Sequence, residues 1–237
     1  MVKILKSEFL KLKNSAILYL MIGLFTLEWL TIPVYLSNHQ TSYTLEAMTF
    51  LPMLAYCLML AIVSLLTMEQ EEQANHCQNI NSSHNRAKIW LLKLLARDLI
   101  VILPCLILWG SIGYVINDIS YTFYSGSLTW LLLVFLNHFH HLLSLWAGKG
   151  LNLIISFVEC LFIIFASNHA FMGNFWIPII LPVNAILMPE KKLMIKTIFI
   201  LLALILMLDS IDVLTLKRNK NEVKSMFLIV KIENKYN

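Results

Sequence analysis

The sequence predicts an all-α integral membrane protein with six transmembrane helices. Three observations support this fold class: an apolar composition, six long apolar runs, and lysine and arginine residues gathered on one side of the predicted membrane. Of 237 residues, 59% are hydrophobic and only 14% are charged, whereas soluble domains have about 45–50% apolar and about 25% charged residues. So little charge cannot cover a globule of this size. The composition therefore disfavours a soluble enzyme, a disordered chain and a nucleic-acid-binding protein.

The six apolar runs have the length that a bilayer requires. A transmembrane helix needs about 20 apolar residues to cross about 30 Å of hydrocarbon. The predicted spans cover residues 17–36, 47–67, 99–116, 127–145, 151–166 and 193–214. They make up one transmembrane domain over residues 1–237, and the short connections leave no room for a soluble catalytic domain.

A seventh apolar stretch, residues 171–188, is interrupted by Pro178 and Pro182 and is followed by Pro189. Proline removes a backbone donor and clashes inside a helix, and lipid cannot satisfy the groups that it leaves free. We therefore expect a re-entrant hairpin between spans five and six rather than a seventh span.

The distribution of basic residues orients the spans. With six spans, 15 of the 18 lysines and arginines lie on one side of the membrane, and only Lys191, Lys192 and Lys196 lie on the other. By the positive-inside rule, both termini are expected in the cytoplasm. The first span is longer than a signal-peptide core and no small-residue cleavage site follows it, so we expect it to be retained.

Two further features complete the survey of the chain. The cytoplasmic tail, residues 215–237, contains an apolar patch at 226–232 (MFLIVKI), whose role the sequence leaves open. The cysteines are Cys57, Cys77, Cys105 and Cys160, and no pair of them is placed to bridge an extracellular loop. We therefore expect no disulfide framework.

The loop after span two, from Glu69 to Asp98, is the most informative polar segment. It begins with acidic residues, continues through a polar run and becomes basic before span three. Two interpretations remain open: a solvated loop that obeys the positive-inside rule, or a short amphipathic helix offered to a partner. Ala74, Cys77 and Ile80 recur at helical spacing, which favours the second.

The chain resembles the membrane-spanning subunits of ABC-2-type ABC transporters, particularly the small permeases of lantibiotic self-protection systems. Residues 7–15 (SEFLKLKNS) look like the interfacial helix that precedes the first span in those permeases. The acidic residues 69–72, the segments 79–83 (NINSS) and 86–89 (RAKI), and Lys93 match their coupling region. The six-span layout and the proline-broken hairpin are also similar. The chain departs from the family where a small residue, usually glycine, is common, since His76 and Cys77 stand there.

The resemblance implies a permease subunit that carries no ATP site or cofactor of its own, and no G-x-x-x-x-G-K-[ST] motif occurs in the chain. A separate ATP-binding cassette subunit would bind ATP and Mg and dock on a coupling helix, and a second permease subunit, homologous or identical, would complete the transmembrane pair. The residues implied in coupling are Glu69, Glu71, Glu72, Asn79, Ile80, Arg86 and Lys88.

The lantibiotic branch also implies a substrate and a location. The substrate would be a cationic amphipathic peptide, expelled from the producer's bacterial plasma membrane so that the producer is immune to it. The alternative within the superfamily is an ABC-2 permease that exports another hydrophobic compound or antibiotic.

Two carboxylates lie within predicted spans. Glu28 and Glu159 are about 14–18 Å deep, near the middle of the bilayer. A charge there costs at least about 2.5–3.5 kcal/mol on insertion scales, so such residues usually face a partner or a wet cavity. Either they are buried structural carboxyls, or they form part of the path of a cationic substrate.

Histidines and aspartates near the inner ends of spans four and six invite a metal interpretation. His138 and His141 have i, i+3 spacing, but no carboxylate lies nearby on the same helix and no H-E-x-x-H motif occurs. We expect interfacial histidines and no metal site. We expect Asp209 and Asp212 to pair with Lys217 or Arg218.

An intramembrane enzyme is the principal alternative of another class. Intramembrane prenyl-type proteases use an E-E-x-x-x-R pattern, and Glu71 and Glu72 begin a similar one, but His76 stands in place of the arginine. The pair also falls in a predicted loop, where two carboxylates would not activate a water inside the membrane. We therefore expect a transport subunit rather than an enzyme. An ATP-independent accessory membrane protein is the remaining alternative.

Overall fold

The computed structural model describes residues 2–13, 15–39, 41–73, 85–168, 170–172 and 174–217, and every regular element within them is an α-helix. The described part of the chain contains eight helices. They are α1 (Val2–Leu12), α2 (Ala16–Asn38), α3 (Ser42–Gln73), α4 (Arg86–Ile116), α5 (Ile119–Trp146), α6 (Gly148–Ile164), α7 (Ile180–Leu187) and α8 (Lys191–Lys217).

Five of these helices, α2, α3, α4, α5 and α8, are long and apolar enough to cross a membrane. Each contains one of the predicted spans, which supports a helical, multi-pass membrane protein. The remaining predicted span, residues 151–166, corresponds to α6, whose 17 residues are fewer than a typical crossing requires. The sixth crossing stays a prediction.

Local sequence explains where several helices begin and end. Ser15 caps α2, with its hydroxyl accepting a hydrogen bond from the backbone N–H of Leu18 at 3.3 Å. Between α4 and α5 the chain turns within two residues. Asn117 takes the left-handed conformation (φ 56°) that commonly closes a helix, and the carboxylate of Asp118 accepts from the N–H of Tyr121 at 3.0 Å. This turn folds α4 and α5 into an antiparallel hairpin.

Helices α3 and α5 form the centre of the bundle. In their most apolar windows 56% of residues are buried within the protein, against 28% in α2 and α8. Helix α4 packs along α5, α6 packs on α3, α2 lies across α3 and α4, and α8 lies against α5 and α4. Helix α1 packs on α4, near the end where α4 begins. The outer helices therefore cover more than half of the residues in the apolar windows of α3 and α5.

The proline-rich stretch forms turns followed by the eight-residue helix α7. Its residues from Ile180 to Ile186 are buried, and it packs on α3, α5, α6 and α8. Pro182 stands in the first turn of α7, where a missing backbone N–H costs nothing. The re-entry of this segment into a membrane stays a prediction.

The predicted boundary of the loop after span two is wrong at both ends. Helix α3 continues through the acidic residues to Gln73, and α4 begins at Arg86, so Lys93, Arg97 and Asp98 belong to a helix. At about 1.5 Å per residue, α3 and α4 are each about 46–48 Å long, well beyond the about 30 Å of hydrocarbon. Their charged ends therefore extend beyond the apolar layer and are stabilised there by contacts with each other.

Candidate functional site

Two groups of buried polar and charged side chains lie towards the end of the bundle where α3 ends and α4 begins. The first region is called the charged cluster here and joins α1, α3, α4 and α5. Its members are Glu8, Lys11, Thr67, Gln70, Glu71, Lys93, Arg97 and His141.

Ion pairs link three helices within the charged cluster. The Lys93 ammonium on α4 contacts Oε1 of Glu71 on α3, and it lies 4.0 Å from Oε2 of Glu8 on α1. Lys11 Nζ lies 2.8 Å from Oε1 of Glu8 and 3.6 Å from Oε1 of Glu71. All of these groups except Lys11 are almost completely buried, so their charges are balanced by each other rather than by water. Helix α1 is thereby attached to the ends of α3 and α4.

Lys11, like Glu8, lies on α1, outside the helices that are long enough to span a membrane. Its partial burial by itself lowers the pKa of Lys11, but the hydrogen bond to Glu8 and the negative charges of Glu8 and Glu71 outweigh that effect. The pKa of Lys11 is therefore raised above its ordinary value, and the ammonium is charged throughout the physiological range.

Arg97 lies deeper in the same cluster, with 1% of its surface exposed. Its Nη1 donates to Oγ1 of Thr67 at 2.6 Å and contacts Nε2 of His141. His141 Nδ1 lies 2.8 Å from the carbonyl oxygen of Asn137, to which it must donate. Since the Nδ1 of His141 then carries the hydrogen, its Nε2 is free to accept from Arg97. Nε and Nη2 of Arg97 have no hydrogen-bond partner among the described residues.

The second region surrounds the histidines of α5 and is called the histidine hub here. Its three histidines point towards different neighbouring helices. His138 lies between Asp98 on α4 and Asp209 on α8, with Nε2 to Oδ2 of Asp98 at 3.0 Å and Nδ1 to Oδ1 of Asp209 at 2.6 Å. The side-chain amide of Asn137 also donates to Oδ1 of Asp98 at 2.7 Å. Two carboxylates on one imidazole favour the form in which both ring nitrogens carry hydrogens.

His140 points the other way, towards α6 and α3. Its Nδ1 lies 2.8 Å from Oδ1 of Asn152, and the Asn152 amide donates to Oγ of Ser64 at 2.8 Å and Oγ of Ser144 at 3.1 Å. Nε2 of His140 lies 2.9 Å from Oε2 of Glu159, which is close enough for an ion pair but lacks hydrogen-bond geometry. This network ties α3, α5 and α6 together at a buried point.

His138, His140 and His141 are all buried within the bundle, and their position at the membrane interface stays a prediction. Carboxylates from α4, α6 and α8, which are remote in sequence, face two of them, and a search confined to one helix could not find those partners. Within the described residues, the structure contains no group of three or more histidine, cysteine, aspartate or glutamate side chains arranged to hold a metal ion.

The aspartates of α8 contact side chains of α4 and α5, and their expected pairing with Lys217 or Arg218 stays a prediction because the side chain of Lys217 is not described. Asp209 binds His138, and Oδ2 of Asp212 accepts from the indole Nε1–H of Trp90 at 3.3 Å. Arg218 lies outside the described residues. Both aspartates point into the bundle because α8 packs on α4 and α5.

Of the two membrane carboxylates, Glu28 on α2 accepts from the hydroxyl of Tyr56 on α3 at 2.8 Å, and Glu159 on α6 faces His140. Both are buried, with 5% and 2% of their surfaces exposed. Each carboxylate thus meets a polar group on the neighbouring helix within a single copy of the chain. They lie in different parts of the bundle and do not form one site.

The residues implied in coupling lie in different environments. Glu71 is buried in the charged cluster, whereas Glu69 pairs at 2.7 Å with Lys149 at the start of α6. Glu72 is half-buried, Lys88 is exposed, and Arg86 opens α4. Asn79 and Ile80 lie outside the described residues.

Sequence reasoning missed the buried roles of Glu8, Arg97, Asp98, Asn137 and Asn152. From the sequence, Arg97 and Asp98 are interpreted only as charges that flank the third span. Arg97 lies four positions after Lys93 on α4, and Asp98 follows Arg97 directly. Such spacing places Lys93 and Arg97 on one helix face, which is a signal that could have indicated a shared environment.

Comparisons with protein-family models, with curated proteins and with solved structures find no match to this chain.

Proposed function

We propose that this chain is the membrane-spanning permease subunit of an ABC exporter that expels lantibiotic-type peptides from the producer's plasma membrane and so confers immunity. In this proposal both termini are cytoplasmic, and ATP and Mg bind to a separate ATP-binding cassette subunit. A second permease subunit, homologous or identical, completes the transmembrane pair.

The observation that carries the proposal is the connection between α1, α3 and α4. The segment between α3 and α4 is the one in which the resemblance places the coupling helix. The helices on either side of it are joined by the contact of Glu71 with Lys93, and α1 is attached to both through Glu8 and Lys11. A push on that segment would therefore move α3 and α4 together instead of being absorbed by a flexible hinge.

The same connection leads towards the interior of the bundle. Arg97 is one turn from Lys93 along α4 and contacts His141 on α5, while Asp98 contacts His138, which in turn contacts α8. Rigid packed helices and hydrogen-bond networks are the physical means by which a displacement at one end changes packing elsewhere. Movement of α4 would accordingly change the positions of α5 and α8.

Glu28 and Glu159 are the proposed contacts for a cationic substrate. Each is buried against a neutral or ionisable partner, Tyr56 or His140, so a peptide ammonium would have to displace that partner or add to it. Substitution of both by glutamine preserves their size and removes their capacity for charge. If they hold substrate, the double variant should lower the peptide concentration that inhibits growth; an unchanged inhibitory concentration would dismiss this role.

The assembly is tested by affinity purification of the tagged chain from native membranes in a mild detergent, with co-purifying chains identified by mass spectrometry. Recovery of an ATP-binding cassette subunit is expected. Recovery of this chain alone, under conditions that preserve a control ABC complex, would overturn the proposal.

A matched pair of variants tests the position of coupling. Glu72→Ala changes a half-buried carboxylate beside the predicted coupling helix, and Glu46→Ala changes one of similar exposure near the opposite end of the same helix. At equal expression, Glu72→Ala should lower peptide resistance and Glu46→Ala should not. Equal resistance for both variants would contradict the coupling role.

A further inference from the structure

Helix α1 presents one side to the rest of the protein and another to its surroundings. Leu5, Phe9 and Leu12 pack against the hydrophobic core, and Glu8 beside them is buried. The chain continues the last helical turn beyond Leu12, because the next backbone N–H donates to the carbonyl oxygen of Phe9 at 3.1 Å. The exposed side is called the outer face of α1 here. It is a stripe at helical spacings of three and four residues, made of Lys3, Lys6, Leu10 and Lys13.

The outer face carries positive charge that nothing in the described part of the chain balances. The one acidic residue of α1, Glu8, points the other way and pairs with Lys11. None of the ion pairs within 4.0 Å among the described residues includes Lys3, Lys6 or Lys13. Three ammonium groups thus share one exposed surface without an opposing charge, which makes that surface complementary to an anionic one.

Apolar side chains lie among these lysines. Leu10 stands between Lys6 and Lys13 in the stripe and is 61% exposed, and Val2, one turn before Lys6, is 80% exposed. Contact of these apolar groups with water is unfavourable. A lysine can lay its methylene stem along an apolar surface while its ammonium stays in a polar one. The outer face therefore matches a boundary between an apolar and a charged environment.

The place of α1 in the fold puts this face beside such a boundary. Only residues 13–15 separate α1 from α2, the first helix long enough to span a membrane. Three residues reach about 10 Å at most, so α1 lies close to the level at which α2 enters the apolar layer. Burying three charged lysines in hydrocarbon would be costly. The outer face is accordingly kept at the surface of that layer.

We propose that the outer face of α1 binds anionic phospholipids in the leaflet around the start of α2. The ammonium groups of Lys3, Lys6 and Lys13 contact the headgroup phosphates, and Leu10 contacts the upper part of the acyl chains. A lipid leaflet is favoured over an acidic protein because it offers phosphates and hydrocarbon side by side and directly adjoins α2. The binding needs only the folded chain in a bilayer and does not depend on the proposed transport function.

Quenching of a single added tryptophan tests which lipid lies against this face. The full chain carrying Leu10→Trp is placed in nanodiscs of phosphatidylcholine with one fifth phosphatidylglycerol. Bromine, the quencher, is carried on an acyl chain of either the phosphatidylglycerol or an equal amount of the phosphatidylcholine. The unaltered chain gives the signal of the six native tryptophans, which is subtracted. Stronger quenching is expected when phosphatidylglycerol carries the bromine.

A second tryptophan position controls for contact with lipid in general. Leu103 on α4 is 65% exposed, close to the 61% of Leu10, and no lysine or arginine lies within five residues of it in the sequence. Leu103→Trp should therefore be quenched equally by the two brominated lipids.

Substitutions in the Leu10→Trp chain assign the preference to the lysines. Lys6→Gln should lower the preference for phosphatidylglycerol about fivefold, the contribution expected of one basic residue near an anionic surface. Replacing Lys3, Lys6 and Lys13 together should abolish it, and raising the salt concentration should weaken it. Lys192→Gln removes an exposed charge at the start of α8, at the other end of the bundle, and should leave the preference unchanged.

Each contrary outcome overturns the proposal in a different way. Equal quenching by the two lipids at position 10 would show contact with the bilayer without selection of anionic lipid. No quenching by either lipid would show that the outer face lies in water or against protein, such as a second copy or an acidic partner. A preference that survives replacement of all three lysines would show that other residues hold the phosphates.

Discussion

Replacing Glu71 by glutamine should destabilise the protein, whereas the same change at the adjacent Glu72 should not. Glu71 is buried against Lys93, and Glu72 is half-buried with no ion-pair partner among the described residues. Without the Glu71 charge, the carboxylate of Glu8, 4.0 Å away, is the only one left within ion-pair distance of Lys93 in the described part of the chain. The pair of substitutions therefore compares a buried ion pair with a more accessible carboxylate one residue further along the same helix.

The size of the effect follows from the burial of the remaining charge. Removing one partner of a buried ion pair typically costs about 3–5 kcal/mol. Because Glu8 still compensates Lys93 in part, we expect the lower end, about 3 kcal/mol. For a chain of this length, that corresponds to a fall in Tm of about 6–12 °C. Glu72→Gln should change the free energy of unfolding by no more than about 0.5 kcal/mol.

The measurement is thermal unfolding in a mild detergent, followed by the fluorescence of the six tryptophans at a fixed heating rate. Combining Glu71→Gln with Lys93→Met removes both charges and should recover part of the lost Tm, since no uncompensated charge remains. Equal Tm values for Glu71→Gln and Glu72→Gln, or a double variant as destabilised as the sum of the single ones, would refute the reasoning.

Three further predictions concern other parts of the bundle, each measured by the same unfolding assay. Asn152→Leu should cost about 2–3 kcal/mol because it leaves Nδ1 of His140 without its hydrogen-bond partner and removes the hydrogen bonds that the Asn152 amide donates to Ser64 and Ser144. Asn38→Leu, at an exposed helix end, should be nearly neutral. Similar losses in the free energy of unfolding for the two variants would contradict the network. Gly113→Ala should cost about 1–3 kcal/mol because the added Cβ would lie 2.8 Å from the backbone oxygen of Asp118. At Gly110 the added Cβ has no neighbouring atom within 4 Å, so Gly110→Ala should be neutral or stabilising. Hydrogen bonds from Ser120 and Tyr121 lower the pKa of Asp118, so its capping contribution is present above the ordinary pKa of aspartate and is lost as the pH falls through the lowered pKa. The Tm difference between the unaltered chain and Asp118→Ala should therefore shrink between about pH 5 and pH 2, and a difference independent of pH would rule out this ionic cap.

The histidine hub shows why part of the site could not be predicted from the sequence. Residues 137–141 are consecutive on one helix, and a helical turn of 3.6 residues necessarily directs them to different faces. Which carboxylates they meet depends on where α4, α6 and α8 lie around α5, and nothing in the sequence near the histidines specifies those neighbours. Histidines this close in sequence invite a metal interpretation, but their side chains point towards different partners.

The sequence by itself determined that the chain is helical and apolar, and it located the five helices long enough to span a membrane. Hydrophobic runs of this length have few other stable structures, because backbone groups in lipid must be satisfied within the segment. Only the tertiary structure decided that Lys93, Arg97 and Asp98 are buried within a helix instead of lying in a loop, and that Glu8 from the N-terminal helix joins them. A charge can leave water only where opposite charges or hydrogen-bonding groups meet it, and the packing of α1, α3, α4 and α5 brings such groups together from distant parts of the chain.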